Sequence, residues 1–116
     1  MVGTHYDTRS WADRDPNPAV RSTPIVGAND GGSGVAVMLE MANAWKQNPP
    51  SIGVDLIFFD GEEFGREGDF DEYLVGSKAY VRDHPDYRPE WGVVLDMVGD
   101  ASIWFKEGDT CTAKYA

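Results

Sequence analysis

The chain has 116 residues, with 10 Lys and Arg against 20 Asp and Glu, giving a formal net charge of −10. That length suits one domain that buries roughly 65% of its unfolded surface, and 41% hydrophobic content with four Trp argues against disorder. The acidity disfavours binding to nucleic acid or to anionic membranes, no apolar run approaches the roughly 18 residues of a membrane span, and a lone cysteine, Cys111, excludes an intrachain disulfide and a thiolate zinc cluster.

The first residues lack the basic start and apolar middle of a signal peptide. No internal repeat or low-complexity tract is present. Residues 2–5 are a short apolar run ending in polar residues, which suits the C-terminal end of a strand. Residues 7–29, rich in Asp, Arg, Pro, Asn and Ser, read as a long loop, and a loop of that length in a compact domain is usually functional or mobile. The spacing of Val35, Met38, Leu39, Met41, Ala42 and Trp45 predicts a helix over 33–47, with Asp30 and Ser33 as caps and Asn48-Pro49-Pro50 as its stop. Residues 54–59 are mostly apolar and end in Asp60-Gly61, as expected of a strand buried on both faces. Residues 64–72 form a Gly-rich acidic loop, 74–84 a helix ended by Pro85, 91–97 a third strand containing Asp96, and 102–106 a fourth short strand. Strand, helix, strand, helix, strand implies an α/β fold with a largely parallel sheet and flanking helices.

The candidate chemistry is positional. His5, Glu62 with Glu63, and Asp96 fall at or just past the C-terminal ends of predicted strands, and Asp30 falls at the start of a helix. Ligands of open α/β sheets bind at this carboxyl edge. One imidazole and four carboxylates converging there repel one another or raise their pKa values unless a cation resolves the conflict. Imidazole plus carboxylates without thiolate fits zinc in a hydrolytic site better than zinc in a structural one. Adjacent Glu62 and Glu63 point in different directions, so one can bind metal while the other acts as general base on a metal-activated water; the plain alternative is two solvated glutamates. Asp7 is placed either to accept the second ring proton of a ligating His5 or to cap a turn.

Other features read as structural. The stretch 29–34 is Gly-rich but lacks the Lys-Ser/Thr ending of a phosphate loop. His84 reads as a helix-end histidine facing the C-terminal dipole, Cys111 as an inert thiol, and Trp45 as part of the apolar helix face. Trp11, in the long loop, either walls a substrate site or pins the loop.

Four segments, Val2-Gly3-Thr4-His5-Tyr6-Asp7-Thr8, Gly27-Ala28-Asn29-Asp30-Gly31-Gly32-Ser33-Gly34-Val35-Ala36, Phe58-Phe59-Asp60-Gly61-Glu62-Glu63 and Leu95-Asp96-Met97-Val98-Gly99, resemble the motifs of zinc exopeptidases related to bacterial leucyl aminopeptidase, a family that also holds the glutaminyl cyclases. The second segment is closer to the aminopeptidases; the third, together with Tyr73-Leu74-Val75-Gly76-Ser77, leans toward the cyclases. The resemblance implies a three-layer zinc-exopeptidase fold. It makes His5 and Asp96 ligands of one zinc, Asp30 a bridge to a second, Glu63 a ligand of that second ion, Glu62 the general base, and Asp7 the group orienting His5. A cyclase reading keeps one zinc, on Asp30 and Glu63. The family also needs a further His ligand downstream and sheet and helix before His5, so residues 1–116 are expected to be a single partial catalytic domain, truncated at both ends. The implied partner is a peptide with a free N-terminus, without nucleic acid or membrane, in a secreted or periplasmic setting.

Three functions follow in order: a zinc aminopeptidase-type exopeptidase, a glutaminyl-peptide cyclotransferase-like acyltransferase with one zinc, and a non-catalytic acidic module binding a cation or a partner.

Overall fold

Three strands form one parallel sheet in the order β2-β1-β3 among the described residues of the computed structural model, 1–66 and 68–102. β1 (Val2–His5) is central, β2 (Leu56–Phe59) lies on one side and β3 (Val93–Val94) on the other. The register pairs Val2 with Leu56, His5 with Phe59, and Val2 with Val93. All three strands therefore finish at one edge, and the residues that follow them are delivered to the same place.

The third strand is shorter than the predicted 91–97. Leu95 still donates its N–H to Gly3 O at 2.8 Å, and Thr4 Oγ1 donates to Leu95 O at 2.8 Å. The chain then turns away through Met97, at φ 50°. Val98 N donates to Ser33 Oγ at 3.0 Å and Gly99 N to Asn29 Oδ1 at 2.8 Å, so the segment after Asp96 is tied to the start of the first helix instead of to the sheet. Of the predicted strand at 102–106, Ser102 lies in a turn; residues 103–106 and Cys111 lie outside the described residues.

Helix α1 (Gly32–Gln47) begins at Gly31, whose φ of +86° is open to glycine but strained for other residues. Neither expected cap acts as one. Ser33 sits inside the helix, where its hydroxyl donates to Asn29 O, and Asp30 turns its carboxylate toward His5. Gly34 and Met38 are the buried residues of α1, with Met41 and Trp45 partly buried along the same helical stripe. Leu39, 60% exposed, and Ala42 lie off that stripe, so the core is narrower than the sequence suggests. α1 crosses β1, and a Cβ on Gly34 would collide with Thr4 Oγ1 and reach 2.9 Å from Leu95 O.

Thr4 pairs with Phe58 and shares its sheet face, the face that α1 crosses. Because α1 lies over β1, Phe58 remains 37% exposed, contrary to a strand buried on both faces. Phe59 points to the opposite face and meets Tyr80 of helix α2 (Val75–Asp83) edge-on at 6.0 Å. Helices thus flank the sheet on both sides, the three-layer arrangement expected. The two long loops carry single 3-10 turns, Pro18–Val20 and Phe70–Glu72.

The close approach of α1 to β1 generates a test. Gly34→Ala should cost about 1–3 kcal/mol by overpacking, read as a lower denaturant midpoint with an unchanged slope; an unchanged midpoint would mean that α1 shifts off the sheet freely.

Candidate metal centre

His5 ends β1 and is only 4% exposed. Its Nδ1 lies 3.1 Å from the backbone oxygen of Asp7. A carbonyl oxygen only accepts, so Nδ1 carries the proton and Nε2 of the neutral ring is a lone pair. That lone pair lies 3.1 Å from Asp30 Oδ1 and 3.5 Å from Asp96 Oδ1. Despite the short distances neither contact has hydrogen-bonding geometry, and among the described residues Nε2 is a buried atom without a partner. One ligand atom each from His5, Asp30 and Asp96 lie within 4.8 Å of one another. An imidazole lone pair facing two carboxylates is a poor arrangement for itself and a good one for a divalent cation, so the residues fit a metal and the donor set suits zinc.

Glu62 stands beside this cluster. Its position is set from both ends of the backbone: Glu62 N donates to Asp7 Oδ1 at 3.0 Å, and Glu62 O accepts from Leu74 N at 3.1 Å. Val75 N and Gly76 N bond the carbonyls of Gly61 and Asp60 at 3.0 and 2.9 Å, so the first N–H groups of α2 clamp the whole turn after β2. Burial, then the neighbouring Glu63 carboxylate, push the Glu62 carboxyl up to about 7. The same two causes raise Asp30. For His5, burial pulls the value down, but the carboxylates of Glu62, Asp30, Asp7 and Asp96 outweigh it and the ring ends above its ordinary value.

Asp7 makes its contacts differently from the expectation, and Glu63 stands outside the first ligand group. The Asp7 carboxylate is 3.5 Å from His5 Nδ1, whose hydrogen bond goes instead to the Asp7 backbone oxygen. The carboxylate accepts from Glu62 N and Glu63 N at 3.0 and 2.9 Å, because those two part-buried N–H groups need an acceptor. Asp7 therefore joins the end of β1 to the turn after β2. Glu63 is not in the His5, Asp30, Asp96 group. Its Oε2 accepts from Arg9 Nη1 at 2.7 Å, which leaves Oε1 as its second acceptor.

Arg9 is the residue that sequence reasoning missed. It is 13% exposed on its side chain and grips Asp13 with Nε at 2.7 Å and Nη2 at 2.8 Å, while Nη1 also donates to Tyr73 OH at 2.7 Å. The available signal was an Arg two residues past Asp7, with an acidic partner four further on. Arg9, Asp30, Glu62, Glu63, Phe70 and Tyr73 line a cavity of about 460 Å³. His84 stays apart from the cluster, capping α2 with its ring stacked on Tyr80 at 4.3 Å.

The sequence model described as peptidase family M28 matches residues 1–107. Aminopeptidase YwaD of Bacillus subtilis (strain 168) is 41% identical over 87 residues, 72% of this chain and 17% of that protein. Among solved structures, a Bacteroides thetaiotaomicron glutaminyl cyclase bound to N-acetylhistamine superimposes with TM-score 0.81 at 38% identity, covering 87% of this chain and 37% of that one. A Zn-dependent exopeptidase from Parabacteroides distasonis ATCC 8503 gives TM-score 0.77 at 41% identity, over 84% and 36%. The chain thus spans less than two fifths of these solved relatives and about a sixth of the Bacillus protein.

Protons and a dication compete for the cluster. The Glu62 contribution favours the folded state below its ordinary value of 4.5 and is lost as pH rises through about 7. The His5 contribution is full below 6.5 and lost as pH rises through its higher folded value, and the raised Asp30 acts in the same direction. The metal-free protein should therefore melt lower at about pH 8 than at about pH 5, and zinc should raise the melting temperature more at the higher pH. An equal zinc-induced rise at both pH values would place the metal elsewhere.

Proposed function

This chain belongs to peptidase family M28, and on that premise we propose that it contributes to the catalytic domain of a zinc-dependent exopeptidase that removes N-terminal residues from peptides. The observation that carries the reading is the buried lone pair of His5 facing Asp30 and Asp96, with Glu62 beside it near neutrality. His5, Asp30 and Asp96 would hold the zinc, and Glu63, sharing the cavity wall with Asp30, has Oε1 to offer toward it. The bound ion would supply Lewis acidity, polarising the scissile carbonyl and making water more acidic.

This chain's own residues account for the proton path. Glu62 accepts a proton from the water whose oxygen attacks the carbonyl carbon, then returns that proton to the peptide nitrogen as the C–N bond breaks. In the metal-free chain, burial and Glu63 raise this carboxyl to about 7, and an adjacent dication would draw it down toward the carboxylate form that accepts the proton. Asp7 and the N-terminus of α2 keep the Glu62 backbone in place throughout. Asp30, Glu62 and Glu63 give the positively charged N-terminus of a peptide acidic partners on a wall that also carries Arg9 and Arg14.

A second reading is favoured by the close superposition on a glutaminyl cyclase. In that case Glu62 takes a proton from the α-amine of an N-terminal Gln; the amine nitrogen attacks the γ-amide carbonyl, and the proton leaves with ammonia. A peptide beginning with Leu and one beginning with Gln separate the two readings, by release of the free amino acid against release of ammonia.

Both readings share one consequence. Glu62→Gln in the full-length protein should lower turnover about 10²–10⁴-fold while zinc content is retained, because Gln keeps the shape but cannot accept the proton. Loss of zinc in that variant would make Glu62 a ligand and overturn the assignment.

A further inference from the structure

The long loop places a second cavity, of about 440 Å³, beside the first, and Trp11, Arg21, Ser22 and Arg66 are among its walls. Asp13 lines it too and joins the two cavities, because its carboxylate is held by Arg9 of the first. That pairing takes both Asp13 oxygens and holds its carboxyl below the usual range, so Asp13 adds little free negative charge. The Arg66 guanidinium carbon lies 5.3 Å from the centre of the Trp11 ring, a cation–π contact between two exposed side chains. Arg21 is set by the Pro18–Val20 turn and by Nε donating to Asp15 O at 2.7 Å, a bond that leaves both Nη groups. Among the described residues neither guanidinium is paired with a carboxylate. The chain carries twice as many acidic as basic residues, yet Arg21 and Arg66 both line the second cavity.

We propose that the Trp11, Arg21 and Arg66 cavity is a subsite for a carboxylate of the substrate peptide, downstream of the N-terminal residue on which the metal centre acts. The proposal rests on the peptide reading of that centre. Two guanidinium forks match carboxylate geometry, and Trp11 supplies an apolar face beside them. The carboxylate is either an acidic side chain or the peptide C-terminus.

The test is peptide binding to the zinc-loaded full-length protein carrying Glu62→Gln, measured by calorimetry. The probes are Leu-Ala-Asp-Asp amide, Leu-Ala-Asn-Asn amide and Leu-Ala-Asn-Asn with a free C-terminus. A carboxylate-bearing peptide should bind roughly ten-fold tighter than the neutral amide. Arg21→Gln with Arg66→Gln should bring that ratio toward one, and added salt should shrink it. The Asp-Asn pair reports a side-chain source; the free and amidated Asn peptides report the C-terminus. Equal binding of all three, or a ratio that survives the double substitution, overturns the subsite. Selective binding without cleavage or cyclisation by the unsubstituted protein would leave the subsite standing and remove the proposed activity.

Discussion

Charge crowding around one buried imidazole is the constraint on which the site depends. His5 turns Nδ1 to the Asp7 backbone oxygen and presents Nε2 to Asp30 and Asp96, and Glu62 and Glu63 stand close enough to raise the proton affinity of their neighbours. Water would screen such a cluster on a surface, but here burial is the first cause acting on three of its members. The fold holds these groups together at a cost in stability that protons or a dication can relieve.

The devices that hold the cluster are backbone devices. Parallel pairing in register brings β1, β2 and β3 to one edge. Asp7 then accepts two N–H groups from the turn after β2, and the first N–H groups of α2 bond three successive carbonyls of the same turn. Ser33 and Asn29 do the equivalent work for the segment after Asp96. Each carboxylate is aimed by the main chain beneath it, which limits rearrangement when the charge of the cluster changes.

Much of this was legible in the sequence because strand ends announce themselves. The run Leu-Ile-Phe-Phe stopping at Asp60-Gly61, and Val-Gly-Thr stopping at His5, place their successors at the sheet edge whatever the details of packing. Two kinds of information were hidden. Capping propensity assigned Asp30 and Ser33 to the helix start, but tertiary contacts drew the first to His5 and the second to residues 29 and 98. Long-range ion pairing was equally invisible: Arg9 meets Glu63 across 54 residues, and only the folded loop shows it. Burial was overread for Leu39 and Phe58, since apolar character alone does not say where α1 will cross the sheet.

The adjacent glutamates show how position divides labour between identical side chains. Glu63 has Arg9 on one oxygen, which fixes its orientation and, because Arg9 is shared with Asp13, offsets only part of its charge, properties that suit a ligand. Glu62 pairs with no Arg or Lys among the described residues, is half-buried, and lies next to that charged neighbour. Its proton is therefore exchangeable near neutrality, a property that suits a group accepting and returning one proton in each cycle. The division does not depend on whether the nucleophile is water or the substrate's own amine, because either must lose a proton at the same place. On the proposed function, the choice between them would turn on how much room the first cavity leaves the substrate's α-amine and side chain, and the Arg9, Tyr73 and Glu63 contacts shape one of its walls.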